Sequence, residues 1–560
     1  MDMSKGTVKA VKSSTAAMEG WYKMELSRRN FLKGAGVLGA ASAAAALAGC
    51  GNQPKQAAST GSADIQDDWL GSAPDYSPDS VDRTVECEVL VVGSALAGSM
   101  AAYGAIKGGS KVQVIERNCC PHIGGMTISF FNSKLQKEAG LPIYDPVTVA
   151  NKMFNLTQYR SDFALNALWI NKSGELLDQL NEEFIKPYQQ TCVPVSLEGI
   201  FPDPDKEVGE YISTGVAFDT TDILTEFTAK FHKFLEGIGV VTDYDTKAEV
   251  LVKDDSGRVS GVIATNKDGE TVYYHASKGV VMCTGSFGKN EKMMRKFYTS
   301  HFADWALENN AYEAYMGDSP VTDSAMDDGL GHRMLCWAGA EMEEICSYAS
   351  WQTTAWRSFP YLLVDINGNR FMNECTSLLT SAHIIADLPG HGNYVWQIIP
   401  SNDFEMPSAF GYKKEDAAVM FDIENSCEQY EADSIAELAK MIGCDPDTLV
   451  ATVDRYNELC NNGYDEDYMK DVRYLDAIDD GPYKAYKMQY FFYCTLSGVR
   501  CSNKLEVLDG DRNPIPGLYA GGNTVGYRFG SSYESLLHGG SNALATLHGY
   551  LAGFNAATEN

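Results

Sequence analysis

Two groups of residues in this chain have the types and the spacing to do chemistry. The first is Gly93-Ser94-Ala95-Leu96-Ala97-Gly98, followed 18 residues after Gly98 by Glu116 and then Arg117. A glycine turn that opens a helix gathers unpaired backbone N–H groups and the positive end of the helix dipole at one point, which is a place for phosphate. Gly93 allows the tight turn and Gly98 allows the helix to lie close to the preceding strand. Ala95 stands where such loops usually carry a second glycine, and it is still small enough for phosphate to approach the backbone. Glu116 is spaced to accept hydrogen bonds from ribose hydroxyls, so the ligand expected here is a dinucleotide. The second group is Tyr493, Tyr533 and His538, side chains that hold and release protons, with Arg528 in the loop Tyr527-Arg528-Phe529-Gly530-Ser531-Ser532-Tyr533. Arg528 either carries charge to a carbonyl or carboxylate or makes an ion pair. The tyrosines either deliver protons or pack.

The elements that must position these residues follow from the pattern. Glu88-Val89-Leu90-Val91-Val92 is a nearly continuous apolar run, as in a buried parallel strand. Ser99 to Ile106 predicts a helix rich in small residues, and Lys111 to Ile115 a second strand. Further glycine turns occur at Ile123-Gly124-Gly125-Met126-Thr127, after the strand-like run Val280 to Thr284 at Gly285-Ser286-Phe287-Gly288, and at Leu518-Tyr519-Ala520-Gly521-Gly522-Asn523. Gly539-Gly540-Ser541-Asn542-Ala543-Leu544 opens a last helix reaching about Gly553, whose N-terminal dipole suits an anionic ring. Farther in, residues 365 to 374 read as strand, turn at Asn367-Gly368, and strand return. Ile435, Leu438, Ala439 and Ile442 recur at helical spacing, and Asp445-Pro446 caps another helix running to about Leu459.

Composition narrows the classes. A chain of 560 residues exceeds one compact core, and 21% charged residues against 44% hydrophobic ones make it globular. The net charge of −30 argues against nucleic acid, which needs clustered Lys and Arg. There are 14 cysteines but no C-x-x-C pair, so the chain holds no haem-attachment site, and no metal-ligand set is read from it. Scattered buried thiols are expected, with an iron–sulfur site from distant cysteines left open.

The N-terminal segment is an address. Ser27-Arg28-Arg29-Asn30-Phe31-Leu32-Lys33 precedes an Ala- and Gly-rich apolar run from Gly34 to Gly49, too short to span a membrane as a typical helix. This is the twin-arginine export signature. Export by that route carries folded cargo, which implies a cofactor loaded in the cytoplasm. Leu47-Ala48-Gly49-Cys50 resembles a lipobox, so Cys50 is expected to carry a lipid and hold the protein at the outer side of the membrane, in the periplasm or at the cell surface. The Gly-, Ser-, Pro- and Gln-rich stretch after it reads as a flexible tether.

From about residue 85 to 555 the chain resembles the flavoprotein family of soluble fumarate reductases, urocanate reductases and 3-ketosteroid dehydrogenases. The resemblance rests on the Gly93–Glu116 loop, Gly124-Gly125, Thr284 to Gly288, Asp328-Gly329 before Ala338-Gly339-Ala340, Asn369-Arg370-Phe371-Met372-Asn373-Glu374, and Pro516 to Asn523, in that order. It implies an α/β fold: a discontinuous Rossmann-like FAD-binding domain with an inserted α+β capping domain. The expected layout is a signal with lipobox in 1–50, a tether in 51–84, FAD-binding parts in 85–290 and 441–560, and a substrate cap in 291–440. The implied cofactor is FAD. Its expected contacts are Gly93, Ser94, Ala95, Ala97, Gly98, Glu116, Arg117, Gly124, Gly125, Met126, Thr127, Ala248, Gly285, Asp328, Cys494, Asn523, Ser541, Asn542, Ala543 and Leu544.

The substrate side departs from that family. Fumarate-type members clamp a dicarboxylate with arginines. Here the matching positions read Leu378 and His538, and a family histidine pair is replaced by Tyr493 and Cys494. An arginine fork is hard to replace when a dianion must be desolvated. The expected activity is therefore reduction of an activated carbon–carbon double bond, enone or acrylate-like, in an apolar or aromatic substrate. Flavin N5 would give hydride to the β carbon, and Tyr493, Tyr533 or His538 would supply the proton. The expected electron source is a separate haem or quinol-linked partner. Two alternatives stand beside this: a ketosteroid-type dehydrogenase running oxidatively, and a flavin electron carrier without catalysis.

Overall fold

The computed structural model describes residues 68–121, 128–188, 192–195, 215–218, 227–310, 327–344, 346–353, 360–376, 381–388, 394–400, 428–531, 533 and 539–559. The export signal, Cys50, Gly124, Gly125, Met126, Thr127, Leu378 and His538 lie outside these. The described residues fall into two units. One lies within Ser350–Phe492, and the other within Leu26–Glu198, Ile212–Ala349 and Tyr493–Asn560.

The larger unit is discontinuous and Rossmann-like. Its sheet runs in the order Glu506–Leu508, β4 (Pro514–Ala520), β3 (Thr271–Met282), β1 (Arg83–Val92), β2 (Val112–Ile115), Val241–Asp243. β1 is parallel to both β2 and β3, and β4 is parallel to β3. Val89 to Val92 are wholly or almost wholly buried, as the unbroken apolar run requires. An antiparallel pair, Thr246–Lys253 and Val259–Asn266, extends the sheet from β3 and carries Ala248.

Helix α1 (Leu96–Lys107) follows β1, and the last helix α3 (Gly540–Thr558) packs on it. The small residues of both helices have a common cause. A methyl group at Gly549 would lie 2.2 Å from the Ala97 carbonyl oxygen, and one at Gly553 would lie 1.9 Å from that of Ala101. The two backbones touch, so neither position admits a side chain. The helix runs to Thr558, five residues past the glycine that was expected to end it.

The tether ends earlier than residue 84. Trp69 sits edge-on against Phe297 at 5.0 Å, Trp337 Nε1 donates to Gly71 O at 3.1 Å, and Asp82 Oδ2 accepts from Thr271 N at 2.7 Å. Two aromatic anchors and a strand-edge bond dock this stretch, which sequence composition alone marks as polar linker.

The Ser350–Phe492 unit contains an antiparallel sheet of Leu362–Val364, Tyr394–Ile399, Tyr483–Thr495 and Gln429–Ala432, backed by helices Ile435–Ile442 and Pro446–Asn462. Leu362, Val364, Trp396, Ile398, Leu438, Ala439, Leu449, Val453 and Tyr456 share one core. Residues 441–492 group with this unit and 291–349 with the other. Asp445 caps the second helix as read, its Oδ1 accepting from Thr448 N at 2.9 Å. The turn at Asn367-Gly368 forms, but the return strand is reduced to a single bridge between Val364 and Arg370. Arg370 is drawn instead into an ion cluster. Its guanidinium holds Glu374 at 2.9 Å and Asp465 at 2.7 Å, and Lys470 Nζ lies 3.3 Å from Glu374.

Candidate active site

Strand register decides where the site lies. Val92 is level with Ile115 and Met282, and Met282 is level with Ala520. The residues that follow, Gly93, Glu116, Cys283 and Gly521, therefore emerge side by side at the carboxyl ends of parallel strands, where such sheets bind ligands. Backbone bonds fix these ends: Gly93 N to Ile115 O at 2.8 Å, Cys283 N to Val92 O at 2.9 Å, and Gly521 N to Met282 O at 3.0 Å.

The phosphate loop has the form its residues imply. Gly93 has φ +99°, and a methyl group there would lie 2.3 Å from Cys283 O. One at Gly98 would lie 1.9 Å from Gly93 O. Ala95, just ahead of α1, has φ −64°, ordinary for any L-residue, which is why alanine serves there. No side chain caps α1, so its first-turn N–H groups are left for an anion. Glu116 is buried and ties the loop together. Its Oε2 accepts from Ser94 N at 2.7 Å and Ser94 Oγ at 2.9 Å, and its Oε1 accepts from Asn118 N and Nδ2, both at 2.9 Å. Behind the loop His232 Nε2 lies 3.0 Å from Ser99 Oγ, and burial pushes its pKa down to about 4, so the imidazole is neutral.

The remaining expected contacts line the other loops. Arg117 pairs with Asp328 at 3.3 Å, and Asp328 Oδ1 accepts from the N–H of Leu330, the first residue of helix α2 (Leu330–Trp337), at 2.9 Å. Thr246 N donates to Glu116 O at 2.8 Å, which brings the strand of Ala248 to the Glu116 end. Gly285, at φ +80°, precedes Ser286, whose N–H donates to Asp327 Oδ1 at 3.3 Å. Asn523 Nδ2 donates to Cys494 Sγ at 3.7 Å. Ser541 and Asn542 are half-buried in the first turn of α3, with Ala543 and Leu544 buried beneath. Ser541 N donates to the Tyr533 hydroxyl at 3.1 Å, and Tyr533 stands edge-on to Phe529 at 4.9 Å. Tyr493, half-buried, precedes Cys494 near the end of the strand Tyr483–Thr495.

Arg528 does not have the position of a substrate ligand. Its side chain is fully buried, and it donates to Val525 O at 3.0 Å, Leu496 O at 3.2 Å and Asn523 Oδ1 at 2.8 Å. Burial pushes its pKa down to about 10, which leaves it charged. It holds Asn523 in place from behind.

Sequence reasoning missed its neighbour Glu343. This residue is 2% exposed, and loss of hydration pushes its carboxyl up to about 8. It sits in the run Glu341-Met342-Glu343-Glu344, which reads as solvated surface, and no local signal separates it from the other two acids. Asp327 was also missed. It takes φ +61° without being glycine, and burial raises its carboxyl to about 6. Among the described residues no group of three or more His, Cys, Asp or Glu is placed to hold a metal.

The class defined by this fold and cradle is a dinucleotide-binding redox protein. A phosphate-binding turn at a helix start and an acid at the end of the second strand are the parts of a dinucleotide cradle, and FAD is such a dinucleotide. A family model described as FAD binding domain matches residues 88–544, and the chain belongs to that family. It is an FAD-dependent oxidoreductase. Residues 25–49 match the twin-arginine translocation signal, so the protein is exported by that route. No described helix is long and apolar enough to cross a membrane.

Among proteins it resembles, a vinyl phenol reductase of Lactiplantibacillus plantarum is 24% identical over 84% of this chain and 96% of its own length. A digoxin reductase of Eggerthella lenta is 25% identical over 90% and 91%. The fold is shared with a 3-ketosteroid-delta4-(5alpha)-dehydrogenase from Rhodococcus jostii, at TM-score 0.63 and 22% identity over 86% of this chain and 99% of that one.

Proposed function

We propose that this protein reduces an activated carbon–carbon double bond in an apolar or aromatic substrate outside the cytoplasmic membrane, held there by a lipid on Cys50. Its electrons come from a separate haem or quinol-linked donor. The observation that carries the substrate class is the state of the arginines around the cradle. Arg117 is paired with Asp328, Arg500 with Glu341 at 2.8 Å, and Arg528 is committed to two carbonyls and Asn523. Each guanidinium is already bound to protein, so none of these three is offered to a carboxylate. Leu378 and His538 occupy the positions where fumarate-type enzymes place arginine. Two of the relatives are reductases, and a vinyl phenol carries its double bond on an aromatic ring without a carboxylate.

FAD, when bound, supplies the hydride. The chain supplies the proton and the dry, oriented site. What supports Tyr533 as the proton donor is that the Ser541 N–H donates to its oxygen and so favours the phenolate left after the proton has gone. Tyr493 and His538 are the other donors in this reading.

The test is anaerobic. The chemically reduced enzyme is mixed with fumarate, carboxylate-bearing acrylates, and carboxylate-free enones and styrenes, and flavin reoxidation is followed. The expected order puts the carboxylate-free acceptors first, and a strong preference for fumarate overturns the substrate class. Rapid NADH oxidation by the enzyme alone overturns the separate donor.

A further inference from the structure

Glu343 and Arg528 are two buried ionisable side chains, each within the other's field, that the reaction above does not use. Glu343 Oε2 and Arg528 Nη1 are both sealed from solvent, and neither has a hydrogen-bond partner. A charged oxygen left unsatisfied in a dry interior is costly, so the pair is an unusual thing to find behind a cofactor cradle. The segment containing Arg528 fixes Glu343 from one side: a methyl group at Gly526 would lie 3.0 Å from Glu343 Oε2. Glu343 N donates to Gly498 O at 2.9 Å on the other. Arg528 acts on the acid through its charge and on the cradle through its Nη2, which holds Asn523, and Asn523 holds Cys494.

The groups that face Glu343 are few. Arg528 and Arg500 and the backbone N–H groups of Tyr527 and Gly498 favour its anion. Tyr298, Cys346 and the Tyr527 phenol also lie within its field, and burial keeps all three protonated. Toward the surface, Arg500 is tied to Glu341, which also pairs with Arg512 at 3.1 Å. The balance between desolvation and two cations is therefore close, and a new negative charge in the cradle tips it.

We propose that Glu343 is a redox-linked proton acceptor that takes up a proton from solvent when FAD is reduced. Two electrons and one proton entering the cofactor leave it with one negative charge more than before. One further proton on the Glu343 carboxylate neutralises that charge and leaves Arg528 as a fixed cation behind the ring end. Glu343 touches neither the substrate nor the reacting atoms in this scheme. It acts through the field at the cofactor. The inference rests on FAD binding and not on the identity of the substrate.

The measurement is the midpoint potential of the flavin in the holoenzyme, poised with viologen mediators and read by absorbance from neutral pH to well above 8, where the Glu343 carboxyl is ionised before reduction. Each proton bound per two electrons contributes about 30 mV per pH unit. Wild-type enzyme is expected to show one proton's slope steepening to that of two over part of the range, and Glu343→Gln to keep the shallower slope throughout. Equal profiles in the two proteins overturn the proposal. Infrared difference spectra of the wild-type enzyme, taken above pH 8, serve where the variant fails to load FAD. A protonated-carboxyl band that grows on reduction and shifts with isotope-labelled glutamate supports it, and the absence of such a band overturns it. Failure of the substrate panel leaves this result untouched, because no acceptor is used.

Discussion

At Gly93 there is no room for even a methyl group, and the consequence is measurable. Gly93→Ala combines a left-handed backbone with a contact inside 2.5 Å of Cys283 O. It is expected to cost at least ~1–3 kcal/mol from the backbone alone and to yield colourless protein, checked by urea unfolding and flavin absorbance. Glu116→Gln keeps the shape but gives up a charged acceptor. The expected loss is ~1.5–3 kcal/mol, seen as roughly a tenfold to hundredfold weaker FAD by fluorescence quenching. Arg528→Met leaves Val525 O, Leu496 O and Asn523 Oδ1 without their donor. It should destabilise the fold by ~3–5 kcal/mol and weaken FAD binding. A variant of normal stability with only a raised KM would return Arg528 to the substrate.

These three residues mark what a sequence can say. Gly93 and Glu116 were legible because a turn, a strand end and their spacing are local. Arg528 was visible as a charge in a loop near the last helix, yet its role was not. Its burial is set by Leu496, 32 residues away, and by Glu343 much farther off. Glu343 was invisible for the same reason.

Among the elements, the Asn369–Glu374 segment is instructive. In sequence it is a family signature with no stated task. In the structure Arg370 stacks on the Tyr456 and Tyr468 rings at 5.1 and 4.8 Å and joins Glu374, while Lys470 Nζ donates to Pro360 O and Tyr456 Oη at 2.6 and 2.7 Å. Two cations and two carboxylates cross-link stretches nearly a hundred residues apart. Only the Arg370–Glu374 spacing of four could be read in advance. Removing one partner strands buried charge, so Glu374→Gln should cost ~3–5 kcal/mol. Faster proteolysis within Ser350–Phe492, with the flavin spectrum retained, is the expected sign. Unchanged proteolysis would show that the cluster is dispensable.

Across the whole molecule, pH acts on buried groups in opposite directions. His232, His332 and His548 are held neutral by burial, with pKa values pushed down to about 4, about 4 and about 3. The unfolded chain protonates these side chains below about 6.5, so folding loses stability as pH falls from there toward 4. Glu343 behaves in reverse. Its folded pKa of about 8 lies above the unfolded value, so its cost grows as pH rises toward 8. A thermal midpoint highest in the weakly acidic to neutral range is expected, and Glu343→Gln should flatten the fall from that maximum up to about pH 8. An unchanged alkaline limb would refute the assignment.

The helix contact sets a length. Ala97 at the start of α1 lies level with Gly549 of α3, and Ala101 with Gly553, so the two helices point the same way. Gly540, where α3 begins, lies nine residues ahead of Gly549. Helix α1 begins one residue before Ala97, so at a rise of ~1.5 Å per residue the two helix starts are offset by about 12 Å along a common direction. With no side chains between the backbones at these crossings, the offset cannot slide. On the placement the sequence motifs imply for FAD, the two helix starts are a caliper, one jaw for its pyrophosphate and one for its ring, and a mononucleotide flavin would meet only one jaw.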